Sequence, residues 1–172
     1  RPSVLARSAA SPPCRRGTYP DQPAPVACIE CSVGHYQDQT GKSSCNSTDP
    51  GTHAPSVRAT SATNCSAGSY SDQSQQESCE GCPIAKYQDQ AGQTACELAK
   101  AGFYVDGFGS RAQTPCENGT FTDEAGQSRC ELCPKGETTN INTGKCDECP
   151  KGYYSDSAGS QECQECIPGT VQ

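Results

Sequence analysis

At 172 residues, with 32% hydrophobic and 6% aromatic side chains, the chain lacks the apolar material with which a domain of this length fills a single core. Its formal net charge of −7 argues against the basic patches that nucleic acid and anionic lipid require, and leaves cationic partners open. Fifteen cysteines are more than cytosolic enzyme chemistry uses, so the expected setting is oxidising: extracellular or at the cell surface.

Residues 1–13 are a Ser-, Pro- and Ala-rich lead-in. With Ser11-Pro12-Pro13 followed by Pro20, Pro23 and Pro25, the start of the chain reads as stiff and extended, with O-glycosylation a further expectation. It lacks the hydrophobic segment of a signal peptide, which suggests a processed or trimmed end, and no apolar run approaches a membrane span.

From residue 14 to 172 the chain keeps a ruler of seventeen residues. Cys14, Cys31, Cys65, Cys82, Cys116 and Cys133 lie on it, while Cys149 and Cys166 fall one residue short. Fourteen residues behind each run Cys28, Cys45, Cys79, Cys96, Cys130 and Cys163; Cys146 follows Cys133 by thirteen because one residue is missing there. A short fixed period means one small unit copied end to end.

Each repeat reads Cys-x2-Gly-x-Tyr-x-Asp-x2-Gly-x3-Cys-x2, and its residues are numbered here as positions 1 to 17. The position-4 glycine runs from Gly17 to Gly169 and fails only at Ala85. At position 6 stand Tyr19, Tyr36, Tyr70, Tyr87, Tyr104, Phe121 and Tyr154, with His53, Thr138 and Val171 as departures. Position 8 is aspartate in most repeats, and Asp-x-x-Gly fits a turn in which the carboxylate accepts backbone N–H groups and glycine takes positive φ. Each repeat therefore reads as strand, turn and returning strand, and no segment shows a helical period.

The expected fold is small, disulfide-rich β: an elongated tandem array of about nine seventeen-residue hairpin units, with no single core and essentially no helix. Each aromatic is expected to stack on the next repeat. If a repeat advances at most about 17 Å, the array is a rod on the order of 100 Å long.

Repeats 48–64 and 99–115 carry no cysteine at either position: Thr48 and Ala62 stand in the first, Ala99 and Gln113 in the second. Such paired loss fits bonding within a repeat: Cys14 with Cys28, Cys31 with Cys45, Cys65 with Cys79, Cys82 with Cys96, Cys116 with Cys130, Cys133 with Cys146 and Cys149 with Cys163. A staggered scheme, Cys14 with Cys31 and Cys28 with Cys45, survives the same test, because each cysteine-free repeat follows a complete block of four cysteines. Bonds within Cys-x2-Cys rank last, since they close very short loops. Cys166 opens an incomplete repeat, and its partner is expected beyond Gln172. The cysteine-free repeats, held only by neighbours, are expected to be soft joints.

The pairs Cys28/Cys31, Cys79/Cys82 and Cys130/Cys133 have zinc-ligand spacing, but each is embedded in the same repeat without an accompanying histidine, so disulfides are the better reading and no metal or other cofactor is expected. His35 and His53 are the only histidines, and the acids sit in turns, so no catalytic constellation is visible and no enzyme is expected. Asp38, Asp89 and Asp156 lack the clustering of a calcium loop. Three sequons are present, Asn46-Ser-Thr, Asn64-Cys-Ser and Asn118-Gly-Thr, and two flank repeat 48–64, where glycan would shield a weak joint.

The stretch CPKGYYSDSAGSQECQEC resembles the ephrin-receptor-like cysteine-rich repeats, and the resemblance covers essentially 14–172. It is also similar to the first module of tumour-necrosis-factor-receptor repeats, whose cysteines bond within the module; that resemblance implies Cys149 with Cys163. The ephrin-receptor-like family implies the fold more sharply than the function, since it includes receptor ectodomains and surface proteins of algae and protists, among them mastigoneme-type flagellar fibres.

Two functions follow. The preferred one is an extracellular structural glycoprotein, a disulfide-stapled rod in a filament, sheath or surface coat, associating with itself or with another filament or coat protein. The alternative is a ligand-binding ectodomain or stalk of a cell-surface receptor. Near-uniform repeats, without tryptophan or an arginine cluster to mark a binding hot spot, favour the first.

Overall fold

The computed structural model describes residues 12–22, 27–140 and 143–167. Most of the 1–13 lead-in, Pro23, Pro25, and Gly169, Val171 and Gln172 of the last repeat lie outside them. Among the described residues there is no helix, and the strands form nine two-stranded antiparallel hairpins, one per repeat. The fold is a small disulfide-rich all-β tandem array.

Each hairpin pairs positions 5 and 6 with positions 16 and 17, as in His35 with Ser47 and Tyr36 with Asn46, or Phe103 with Pro115 and Tyr104 with Thr114. Before the first strand, the position-5 N–H donates to the position-2 carbonyl, for example Thr18 to Arg15 at 3.1 Å. That turn demands positive φ at position 4, which glycine supplies at Gly17 (76°) and most later repeats. After the second strand, the position-1 N–H of the next repeat returns to the position-4 carbonyl, as Cys31 does to Gly17 at 2.9 Å. Each repeat is thus closed by its successor. The eighth hairpin differs: with one residue missing, Glu137–Asn140 and Lys145–Glu148 pair over four residues, and the Gly144 N–H closes the turn on the Asn140 carbonyl at 2.8 Å.

The chain divides into two compact parts, Arg1–Cys65 with Ser71–Cys79, and Ser66–Tyr70 with Glu80–Gln172. Within the first, repeats are joined by backbone bonds to their neighbours: Gly17 N–H to the Gln37 carbonyl (2.8 Å), Gln37 N–H to the Ala59 carbonyl (3.0 Å) and Arg58 N–H to the Cys31 carbonyl (2.9 Å). The repeat after next is also in contact. A Cβ on Gly17 would collide with the Arg58 carbonyl, one on Gly34 with the Gln75 carbonyl, and Arg58 pairs with Glu30 of the first repeat at 3.5 Å.

The second part repeats this scheme. Ala85 N–H donates to the Val105 carbonyl (2.8 Å), Val105 N–H to the Gln127 carbonyl (3.1 Å) and Gly109 N–H to the Cys82 carbonyl (2.7 Å). Here too the second repeat on is touched: Gly68 abuts Gly109, Gly119 abuts Gly159, the Phe108 ring lies on Gly81, and Leu98 and Leu132 lie on Gly126 and Gly159. In both parts, then, a repeat bears on the next two.

The interior differs from the sequence expectation. The position-6 aromatics are mostly half-buried, and only Tyr87 is fully so. What fills the interior is the position-1 cysteine together with position 7, the residue between the aromatic and the aspartate: Gln37, Ala54, Ser71, Gln88, Val105, Thr122 and Ser155 are all buried. A hairpin two residues deep puts alternate residues on opposite faces, so the residue after the aromatic turns inward against the next repeat's backbone. There is room only for small side chains or for polar ones that satisfy themselves. No buried side-chain polar atom among the described residues lacks a partner.

Candidate functional site

The most regular chemical feature is the file of seven disulfides, Cys14–Cys28, Cys31–Cys45, Cys65–Cys79, Cys82–Cys96, Cys116–Cys130, Cys133–Cys146 and Cys149–Cys163, each within one repeat. Their Cα atoms stand 5.6 to 5.8 Å apart, because the hairpin already sets positions 1 and 15 at bridging distance. Cys31, Cys65, Cys82 and Cys133 are fully buried, so the bridges serve as interior side chains as well as covalent ties. Cys166 carries a free thiol here and is half-buried.

The two cysteine-free repeats keep the same hairpin and the same backbone bonds as the rest. Thr48 and Ala99 occupy the position-1 site with 0% exposure. Thr48 Oγ1 accepts the Gln76 N–H at 3.1 Å, and Gln113 Oε1 accepts the Lys100 N–H at 2.8 Å across the loop a disulfide would close. Position 7 changes with them. It is Ala54 and Val105 in these two repeats, whereas in the second, fourth, fifth, seventh and ninth it is Gln37, Ser71, Gln88, Thr122 and Ser155. Val105 joins Ala99 and Tyr87 in an apolar cluster. Small side chains fill the interior of these repeats, and neighbouring repeats bear on them through Gln76 and Tyr87; the sequence signal was the polar-to-apolar change at position 7.

In four repeats the polar position-7 side chain ties its own turn, a task the sequence had assigned to the following aspartate, whereas Thr122 accepts the Gly102 N–H of the preceding repeat at 2.8 Å. Gln37 donates Nε2 to the Ser44 carbonyl (2.6 Å) while its Oε1 accepts the Gln39 N–H (3.0 Å), and Gln88 repeats both bonds with Ala95 (2.9 Å) and Gln90 (3.0 Å). Ser71 and Ser155 donate to the Gln73 and Ser157 carbonyls, each at 3.0 Å. The preceding aromatic reaches across the hairpin instead: Tyr70 Oη donates to Glu80 (2.9 Å) and Tyr87 Oη to Glu97 (3.3 Å). Burial first, then the Glu97 carboxylate and its hydrogen bond, and last Asp89, push the Tyr87 phenol above its ordinary range.

Both histidines have hydrogen-bond partners, His35 within its own repeat and His53 in the next. His35 Nδ1 lies 3.3 Å from Ser32 Oγ and 3.2 Å from the Val33 carbonyl, and His53 Nδ1 lies 3.2 Å from the Glu77 carbonyl. The cysteine pairs with zinc-ligand spacing are spent in different disulfides, Cys28 with Cys14 and Cys31 with Cys45, for example. Among the described residues no cluster of His, Cys, Asp and Glu is arranged to hold a metal ion, and no helix is long and apolar enough to cross a membrane.

The three sequon asparagines, Asn46, Asn64 and Asn118, are all exposed. Asn46 and Asn64 lie on returning strands, and Asn118 lies in the Cys-x2-Gly turn that opens the seventh repeat. Large apolar side chains also reach solvent, among them Leu98 at 50% exposure, Leu132 at 61% and Phe108 at 74%.

A family model described as tyrosine-protein kinase ephrin type A/B receptor-like matches residues 17–65, 68–114, 102–143 and 136–172, which leaves only Ser66 and Ala67 uncovered between Gly17 and Gln172. No curated protein matches the chain. Seven disulfides in a receptor-type repeat point to an extracellular or surface location. With its period, its closed hairpins and four matches in agreement, the chain belongs to the ephrin type A/B receptor-like family of cysteine-rich repeats.

Proposed function

We propose that this chain is a non-catalytic extracellular structural element, a disulfide-stapled rod of a filament, sheath or surface coat. It carries N-linked glycans at Asn46, Asn64 and Asn118 and assembles with copies of itself or with another coat protein. The observation that supports this reading most is the use of side chains. Position-1 cysteines and position-7 residues point inward and are consumed in closing the repeats, Tyr70 and Tyr87 are spent on cross-hairpin bonds, and among the described residues no set of His, Cys, Asp and Glu converges on one place as a metal or reaction centre would require.

A second reading, a receptor ectodomain or stalk, is favoured by the family description and by the exposed apolar side chains Leu98, Leu132 and Phe108. Electron microscopy of native material separates the two. Filaments or a continuous coat labelled by an antibody to this chain would support the structural role, whereas isolated molecules that capture a soluble protein would overturn it in favour of the receptor.

A further inference from the structure

The missing residue of the eighth repeat leaves a mark two repeats earlier. At two other position-4 glycines of this part, Gly68 and Gly119, the turn of the repeat after next leaves no room for a Cβ, against Gly109 and Gly159. At Gly102 the corresponding neighbour is Gly144, whose Cα would stand 3.7 Å from such a Cβ. The shortened turn has folded back on Asn140, and Thr139 bonds the Thr120 carbonyl through its hydroxyl at 2.8 Å. An open recess of 330 Å³ results, lined by Gly102, Phe103, Pro115, Asn118, Thr139 and Gly144 among others.

We propose that this recess seats the first N-acetylglucosamine of a glycan attached to Asn118. The inference rests on the reading of Asn118 as a glycan acceptor, and goes further in giving the sugar a binding site on its own protein. The sequon asparagine is itself part of the wall. A pyranose offers an apolar face of C–H groups to the Phe103 ring and Pro115, and its hydroxyl groups can donate to the Thr139 oxygen, whose own proton is spent on the Thr120 carbonyl, and bond the backbone of the other side. The volume lies at the lower end of the roughly 300–1,000 Å³ that small-ligand sites use. Being shallow, it would hold a free sugar poorly. A sugar tethered at the rim is present at an effective concentration in about the millimolar range and loses little further translational freedom on docking. The glycan would replace the packing that the deleted residue removed.

The test uses the full chain with Asn46→Gln and Asn64→Gln, secreted from cells restricted to oligomannose glycans, so that Asn118 is the remaining acceptor. Peptide mass spectrometry first reads occupancy of Asn118; an empty site overturns both the acceptor reading and the proposal. On occupied protein, an endoglycosidase that leaves one N-acetylglucosamine is compared with an amidase that removes the whole glycan, with Thr120→Ala as an unglycosylated control that keeps the asparagine. Amide exchange at Gly102, Phe103 and Gly144 is expected to stay slow with the single sugar and to quicken about five- to tenfold when it is gone. In a Phe103→Ala background the two forms should exchange alike. Equal exchange in the single-sugar and sugar-free forms of the otherwise unaltered repeat, with Asn118 occupied, would show a glycan that points only to solvent and would overturn the proposal while leaving the acceptor reading intact.

Discussion

One methyl group at position 4 is expected to be costly. Gly34 sits at φ 74° with the Gln75 carbonyl against the place a Cβ would take, so Gly34→Ala combines backbone strain with a backbone clash and should destabilise by about 2–5 kcal/mol in a denaturant titration. Ala85 already bears the first of these penalties, with φ 69°, and Ala85→Gly should therefore stabilise by about 1 kcal/mol. Tyr87 gives a pH signature. Its folded pKa is raised above the unfolded value near 10, so its contribution is fully present below that value and is lost as pH rises through the folded pKa. Absorbance titration should show a tyrosine ionising above the ordinary range, and Tyr87→Phe should remove that late step. At this scale the glycines, aromatics and sequons were legible in the sequence. Position 7 was not, because Gln37, Ala54, Ser71 and Val105 share no chemical type; they share only the neighbouring backbone that covers them.

The hairpin is the element, and it closes with or without a disulfide when position 7 is chosen to match. Two substitutions probe this in the sixth repeat. Val105→Ser should cost about 1–3 kcal/mol, since it puts an extra hydroxyl beside Ala99 and Tyr87 and removes apolar contact. Ala99→Cys with Gln113→Cys should form an eighth disulfide spontaneously, because the backbone there follows the same hairpin as the bridged repeats, and should raise stability by up to about 3 kcal/mol. Intact mass before and after thiol labelling reads the bond, and thermal denaturation reads the gain. Failure to oxidise would mean that the sixth hairpin is not the equivalent of its neighbours. The strand–turn–strand unit followed from period and turn chemistry alone. The recess beside Asn118 did not: the single missing residue between Cys133 and Cys146 was plain in the sequence, but its consequence reaches Gly102 and Phe103 two repeats earlier, where only the stacking of a repeat on the second one along connects them.

For the whole molecule, contacts run from each repeat to the next two within each compact part, and the apolar interior is a narrow file of cysteines and small side chains. The period alone reveals how often the chain repeats and not how closely successive copies lie, so contact with the second repeat along is not legible in it. So little buried apolar area leaves the covalent ties as the main restraint on the unfolded chain. Each native disulfide is worth about 2–5 kcal/mol, and seven together exceed the roughly 5–15 kcal/mol by which ordinary domains are stable. Full reduction should therefore unfold the array without denaturant, with loss of slow amide exchange throughout. Every repeat that carries two cysteines closes them on each other. Non-reducing peptide mapping of the secreted protein tests this pairing: Cys14 should be recovered linked to Cys28 and Cys31 to Cys45, with the same within-repeat pattern through Cys149 and Cys163, whereas recovery of Cys14 linked to Cys31 would refute it.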